Sequence, residues 1–202
     1  MPAARRDSAA HRAILEATAA LLAERGFAGA SIEAIAGRAG VGKQTIYRWW
    51  PSRADLILDV YLDRTERELP GPLAAGTAAE QIREVLRRLA AILGGTDSGP
   101  IVAGLVAQAQ HDPEFAVRFR ERFITRRREI LRALLERGQA SGELRADLDL
   151  ELAIDAFYGP IIYRLLFAHA PLDEAFADAL AGELLRSFIS MHSGRPDEQE
   201  TP

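Results

Sequence analysis

Residues 40–50 read GVGKQTIYRWW, and this stretch decides how the amino-terminal part of the chain folds. Its two glycines interrupt a helical pattern of apolar residues and predict a tight turn. The residues before the turn predict a short helix capped by Ser31, because serine accepts hydrogen bonds from the first free amides of a helix. The residues after the turn predict another short helix, which ends at Trp50. Two short helices joined by a turn that contains glycine form a helix-turn-helix unit.

A helical wheel divides the helix after the turn into two faces. Ile46 and Trp50 are four residues apart and share the face that packs against the first two helices. The opposite face and its flanks carry amide, hydroxyl, guanidinium and aromatic groups, which can contact base edges in a major groove or phosphates. The alternative is a simple corner in a helical bundle with the aromatic rings as core; we favour that role for Trp50 and leave both open for Trp49. The candidates for base contacts are Gln44, Thr45, Arg48 and Trp49, and those for phosphate contacts are Lys43, Tyr47 and Arg53.

Charge is distributed unevenly along the 202 residues, whose formal net charge is −4. Residues 1–53 contain eight arginine and lysine residues against four acidic ones, so this part is positive while the remainder is negative. A positive module on a negative body is typical of a domain that binds a polyanion. Taken alone, this asymmetry is weak evidence for DNA binding.

The stretch GFAGASIEAIAGRAGVGKQTIYRWWPSRADLI resembles the amino-terminal DNA-binding domain of TetR-family transcriptional regulators, and the match covers about residues 8–60. The resemblance implies a repressor that acts as a homodimer, with its two recognition helices in successive major grooves of a palindromic operator in double-stranded DNA. It also implies that an unidentified small-molecule effector in the larger domain changes the separation of those helices. Gly42 stands where the family often has a serine cap. By position, the family's DNA contacts correspond to Lys43, Gln44, Thr45, Tyr47, Trp49 and Arg53.

The rest of the chain predicts helices only, because its apolar residues recur at spacings of three and four. We therefore expect an all-α fold: a three-helix helix-turn-helix domain followed by a helical bundle for ligand binding and dimerisation. The expected boundaries are 1–53 for the DNA-binding domain, with a connecting helix from about 52, and 54–190 for the bundle. Pro70-Gly71-Pro72 marks a bend or boundary, GGTDSGP at 94–100 a loop, and 191–202 a polar tail expected to be disordered.

Three phenylalanines follow one stripe of a long predicted helix that reaches from Pro113 to Gly138. The stripe continues into Ile130 and Leu134, and Arg127 lies on it by the same spacing. In one interpretation the rings line a pocket and the arginine anchors an anionic or carbonyl-bearing ligand. In the other, which is commoner for such a pattern, the rings are core and the arginine extends to the protein surface. The candidate pocket residues are Phe115, Phe119, Phe123, Arg127 and Phe157.

The last two predicted helices, about 149–169 and 173–190, have apolar stripes wider than one packing partner needs. Such helices can serve a core and an interface at once, as a four-helix contact across a two-fold axis. The alternative is a fully buried hairpin in a monomer. The candidate interface residues are Tyr158, Ile162, Leu165, Leu166, Phe176, Leu180, Leu184 and Phe188.

Enzymatic, metal-dependent and membrane functions find little support in the sequence. The four histidines are scattered without the spacing of a metal pair, and GGTDSGP lacks the Gly-Lys-Ser/Thr ending of a phosphate-binding loop. No apolar run approaches membrane-spanning length. We therefore expect a cytoplasmic protein with no catalytic residues, no cofactor, no metal and no membrane partner. A helical ligand-binding or interaction protein of the same fold, without DNA binding, is the main alternative, and the polar face of the third helix argues against it.

Overall fold

The computed structural model describes the backbone of residues 2–68 and 76–189, and the side chains of residues 9–65 and 76–189. Within these residues the chain is helical, which confirms the all-α prediction. The predicted bend at 70–72 and the predicted polar tail at 191–202 lie outside the described residues. The elements are α1 Pro2–Gly29, α2 Ile32–Ala39, α3 Lys43–Tyr47, α4 Arg53–Glu68, α5 Ala78–Gly95, α6 Ser98–His111, α7 Pro113–Phe119, a π-helical segment Arg120–Thr125, α8 Arg126–Ala140, α9 Leu150–Phe167 and α10 Glu174–Phe188.

Helices α1 to α3 form the amino-terminal head. The hydroxyl oxygen of Ser31 accepts a hydrogen bond from the amide of Ala34 at 3.2 Å and caps α2, as predicted. Gly40 ends α2 with a φ of 65°, a left-handed conformation that glycine adopts without steric cost. Helix α3 ends at Tyr47, so the predicted end at Trp50 is wrong, because residues 48 and 49 form a turn. Ile46 of α3 and Trp50 just beyond it are both buried in the core of the head. The inward face that the wheel predicted is therefore confirmed.

Helices α5 to α10 form the carboxy-terminal body, with α5 near its centre. Thr77 and Glu80 make a reciprocal capping box that starts α5. The buried face of α5 packs against α6, α8 and α10. On the outer side of α5, Arg87 forms two hydrogen bonds, of 2.6 and 2.8 Å, to the carboxylate of Asp178 on α10. These bonds hold the pKa of Asp178 below its usual value.

The long predicted helix is interrupted by the π-helical segment, and the predicted stripe is wrong at Ile130. Seven residues nearly complete two α-helical turns, so an unbroken helix would place Ile130 on the side of Phe123. The wider π-helical turn between them rotates the chain less per residue. As a result, Leu131, Leu134 and Leu135 are buried, whereas Ile130 is exposed.

The predicted loop at 94–100 is also wrong in its extent. Helix α5 continues to Gly95 and α6 begins at Ser98, so only Thr96 and Asp97 connect them. Pro100 lies in the first turn of α6, where its missing amide hydrogen costs no helical hydrogen bond. The glycine-rich sequence suggested a longer loop, but most of it forms the ends of two helices that meet at a short link.

Helix α4 joins the head to the body through polar and steric contacts. Arg64 of α4 donates two hydrogen bonds, of 3.0 and 2.7 Å, to Asp97 in the link between α5 and α6. On the head side, the Phe27 ring lies against Gly104 of α6 so closely that a Cβ at residue 104 would be 2.4 Å from the ring. The position of the head is therefore set by side chains that interlock with the body.

Candidate nucleic-acid interface and the effector region

The outward face of α3 is a short row of polar side chains. Gln44, Tyr47 and Arg48 are exposed, with Tyr47 keeping 51% of its surface, while Thr45 is half-buried. Helix α3 begins after Gly42, which gives no side-chain cap to its free amides. On its other side, Ile46 and Trp50 pack against the core of the head. The free face of α3 therefore presents an amide, a hydroxyl, a phenol and a guanidinium side by side, which is the chemistry that base edges and phosphates accept.

Lys43 lies on the same surface and is paired with Glu33 of α2. Its ammonium group donates a hydrogen bond to the Glu33 carboxylate. The bond raises the pKa of Lys43 and lowers that of Glu33. Both groups are exposed, so this pairing is weak in water. A phosphate would have to compete with Glu33 for Lys43, which the sequence alone did not reveal.

Arg53 occupies a different position from the other candidates. Its guanidinium donates a 2.8 Å hydrogen bond to the backbone carbonyl of Phe27 and lies over the Phe27 ring, 4.5 Å from its centre. Partial burial lowers its pKa. These contacts fasten the start of α4 to the end of α1, so the structure supports a positioning role for Arg53 and leaves its phosphate contact a prediction.

Three rings meet behind the carboxyl end of α3. His11 of α1 stacks on Trp50 with 4.8 Å between ring centres, and it meets Trp49 edge-on at 5.3 Å. Arg48 places its guanidinium over the Trp49 ring at 4.7 Å. Trp49 is thus half-buried between His11 and Arg48, at the border of the polar face. No local sequence pattern pointed to His11, because it lies more than thirty residues away.

The predicted pocket residues lie mainly in the core of the body. Phe119 stacks on Phe115 and on Phe123, with centre distances of 5.8 and 5.0 Å. Phe157 is fully buried against Phe188. Arg127 lies over the Phe123 ring at 4.6 Å. This packing agrees with the core interpretation of the stripe.

Two large cavities of the described structure lie beside α4, and other residues line them. One, of about 630 Å³, is bordered by α1, α4 and α6 and includes Arg12, Leu22, Tyr61 and Ile101. The other, of about 650 Å³, is a more open cleft between α4 and the π-helical segment, with Leu62 and Arg122 in its wall. Neither cavity is lined by the predicted pocket residues, whose ligand contact stays a prediction.

The predicted interface residues divide into two groups. Leu166 is exposed, and Ile162, Leu165, Phe176, Leu180 and Leu184 are half-buried. The ring of Phe188 is instead buried against Phe157 within the same protomer, so the structure does not support its predicted interface role. Tyr158 is also turned inward, since its hydroxyl donates a 2.8 Å hydrogen bond to the carbonyl of Arg127 and burial raises its pKa to about 12.

Two exposed aromatic residues of α9, outside the predicted set, extend this apolar surface. Tyr163 is 56% exposed and Phe167 is 68% exposed, and their rings lie 5.0 Å apart. We define the interface patch as Tyr163, Leu166 and Phe167 together with the half-buried Ile162 and Leu165. The sequence of α9 hid this asymmetry, because apolar residues occur nearly all around the helix.

The described residues show no cluster of three or more histidine, cysteine or acidic side chains that could hold a metal ion. Among the same residues, no single helix is long and apolar enough to cross a membrane, although α5 and α6, bent by 87°, meet the length and composition test as a pair.

Helix α3 buries one face, presents a polar face and follows α2 after a glycine turn, which is the arrangement of helix-turn-helix DNA-binding regulators. Comparison with known proteins gives the family. The family model described as "Bacterial regulatory proteins, tetR family" matches residues 14–60, and "Tetracyclin repressor-like, C-terminal domain" matches residues 72–184. The chain therefore belongs to the TetR family of transcriptional regulators.

Individual relatives agree over most of the chain. It is 39% identical over 171 residues to the uncharacterized HTH-type transcriptional regulator YdeS of Bacillus subtilis (strain 168), covering 85% of each protein. The solved structure of the TetR family transcription regulator SCO0332 superposes with a TM-score of 0.75 at 31% identity, covering 90% of this chain and 99% of that one. FadR from Bacillus subtilis, solved in complex with stearoyl-CoA, has the same fold, with a TM-score of 0.67 at 22% identity over 86% of this chain and 97% of its own.

Proposed function

We propose that this regulator is a ligand-responsive repressor that binds a palindromic operator as a homodimer, with the exposed face of α3 in the major groove. The supporting observation is that α3 and the turn after it bury Ile46 and Trp50 while they leave Gln44, Tyr47 and Arg48 exposed. Base readout is assigned to Gln44, Thr45, Arg48 and Trp49, and phosphate contacts to Lys43 and Tyr47. A protein with this role acts where DNA is, in the cytoplasm, and we assign it no catalytic activity.

The interface patch supports the homodimer. Its two exposed aromatic rings lie against each other, and exposed apolar surface of this kind is costly in water and typical of a protein–protein contact. A second copy is the occupant that the proposed two-fold operator requires, because each copy supplies one recognition helix. The last two helices of each protomer then form a four-helix contact. The domain boundary at residues 53 and 54 is part of the same proposal, with α4 as the connector.

The effector belongs in the carboxy-terminal body, beside α4. TetR-family regulators bind small-molecule effectors, and the cavity between α1, α4 and α6 touches both the body and the head. A ligand there would act on the head only if it binds one arrangement more tightly than the other. The chemical class of the effector is left open.

Selection of bound sequences from random duplex DNA by the purified protein tests the proposal. We expect enriched sites with two-fold symmetry and half-sites about one helical turn apart. Binding should weaken steeply with added salt, because neutralised phosphates release counterions. Enrichment of no sequence, or of sites without symmetry, would contradict the proposal. A protein that lacks DNA binding would show the first of these outcomes.

A further inference from the structure

Two carboxylates of α4, one turn apart, each join a residue between α3 and α4 to α7 or to the π-helical segment of the body. Asp59 accepts a 2.6 Å hydrogen bond from the indole nitrogen of Trp50 and another from Arg122 in the π-helical segment. Asp55 accepts a 2.7 Å bond from the Ser52 hydroxyl. It also accepts two bonds from Arg118 of α7, at 2.7 and 3.0 Å.

The two connections differ in burial. Asp55 is only 2% exposed, so its pairing with Arg118 is needed to keep a charge inside the protein. Asp59 and Arg122 are partly exposed. The first connection therefore holds the fold together, whereas the second can be altered without stranding a buried charge.

Trp50 connects Asp59 to the recognition helix. Its backbone amide donates a 3.0 Å hydrogen bond to the carbonyl of Ile46, so it closes the last turn after α3. One side of its ring stacks on His11, and its indole nitrogen is held by Asp59. The direction of α3 thus depends on where Asp59 holds the Trp50 ring. Asp59 in turn accepts a hydrogen bond from Arg122, which lies in the π-helical segment of the body and not in the head.

We propose that Asp59 and Arg122 are positioning residues for DNA recognition, which hold Trp50 and thereby aim α3. The proposal rests on the assignment of α3 as the recognition helix. A helix already held in the binding direction loses less orientational freedom when it enters the groove. This matters because both heads of a dimer must enter one operator together. Arg122 also lies in the π-helical segment that borders the open cleft beside α4, so a change in that cleft is transmitted to α3 through two hydrogen bonds.

The decisive variant is Arg122→Gln, because it removes the charge and leaves a residue of similar length on a partly exposed site. We expect about tenfold weaker binding to the selected operator, in the usual range for coupling between sites. Binding to random duplex DNA should stay unchanged, because Arg122 neutralises no phosphate. Arg122→Lys keeps the ion pair and should retain most of the operator affinity. Arg128→Gln is the control, since Arg128 pairs with Glu151 and Asp155 of α9, within the body.

Backbone hydrogen exchange provides a readout that needs no DNA. Arg122→Gln should accelerate exchange of the amides of residues 46–50, while the amides of α5 and α9 keep their rates. Trp50→Phe removes the indole donor and part of the ring, and it should reproduce the effect. Adding Arg122→Gln to Trp50→Phe should change little more, because both substitutions act through Asp59.

Two outcomes overturn the proposal. The first is wild-type operator affinity in Arg122→Gln. The second is an equal loss of operator and random-DNA binding with a lower unfolding temperature, which would mean a merely structural ion pair. If the wild-type protein bound no duplex at all, the proposed function would fail; unchanged exchange at residues 46–50 in Arg122→Gln would then still refute the positioning role separately.

Discussion

The proposed recognition helix α3 and the proposed interface helix α9 both bury one face, and they differ in what the other face exposes. Helix α3 exposes Gln44 and Tyr47, whereas α9 exposes Tyr163 and Phe167. A polar surface is stable in water and by itself indicates no partner. An exposed apolar surface costs free energy until something covers it, so it indicates a contact by itself. The DNA assignment therefore depends on family membership as well. For α9, exposure indicates a contact, and the two-fold operator of the proposal makes a second copy the occupant.

The largest effect that tests this difference is expected at the apolar face. Phe167→Asp places a charge in the centre of the proposed contact, and the two-fold axis makes it occur twice. We expect the dimer dissociation constant to rise at least about a hundredfold, as for hot-spot residues. Sedimentation equilibrium measures it. Val117→Asp, on an exposed residue of α7, should leave the dimer intact. A wild-type monomer, or a Phe167→Asp dimer of unchanged strength, would remove the interface assignment.

The contact between the head and the body is tested by Gly104→Ala. A Cβ at this position would lie 2.4 Å from the Phe27 ring, so α6 or the end of α1 must move. We expect a loss of about 1–2 kcal/mol in the free energy of unfolding, because overpacking exceeds the gain in helix propensity. Chemical denaturation measures this change. Gly37→Ala, where a Cβ meets no atom within 4 Å, should be neutral or stabilising. Equal stability of both variants would show that Phe27 is not tightly held.

The polar face is tested by freeing Lys43 from its partner. Glu33→Gln removes the carboxylate that binds the Lys43 ammonium, so Lys43 becomes available to a phosphate. We expect operator affinity to rise a few-fold at about 0.1 M salt, and the salt dependence to steepen by about one counterion. Titrations at several salt concentrations measure both. Glu84→Gln breaks a similar pair with Arg88 on α5 and should change neither. An unaltered salt dependence would place Lys43 away from the DNA backbone.

A smaller effect is expected where α9 ends. Ala168 has a φ of 48°, a left-handed conformation that costs alanine free energy but suits glycine. Ala168→Gly should stabilise the protein by about 0.5–1 kcal/mol in thermal unfolding. Ala156→Gly, inside the same helix, should destabilise it by a similar amount. A destabilised Ala168→Gly variant would show that the end of α9 adopts another conformation in solution.

The head was more predictable from the sequence than the body, for a physical reason. Helix α3 mixes apolar and polar residues, so the spacing of Ile46 and Trp50 identified its buried face. Helix α9 is apolar nearly all around, and its spacing could not separate the buried Phe157 from the exposed Phe167. A helical wheel also assumes one period, which the π-helical segment breaks before Ile130. Contacts between distant residues, such as His11 with Trp50, leave no local pattern.

The most direct test of the central claim is operator binding by a protein in which Gln44, Thr45 and Tyr47 are all alanine. Each good base contact contributes about 1–3 kcal/mol of discrimination. We therefore expect at least about a hundredfold weaker binding to the selected operator, measured by fluorescence anisotropy, with the dimer and the unfolding temperature unchanged. Operator affinity equal to that of the wild type would contradict the assignment of α3 as the recognition helix.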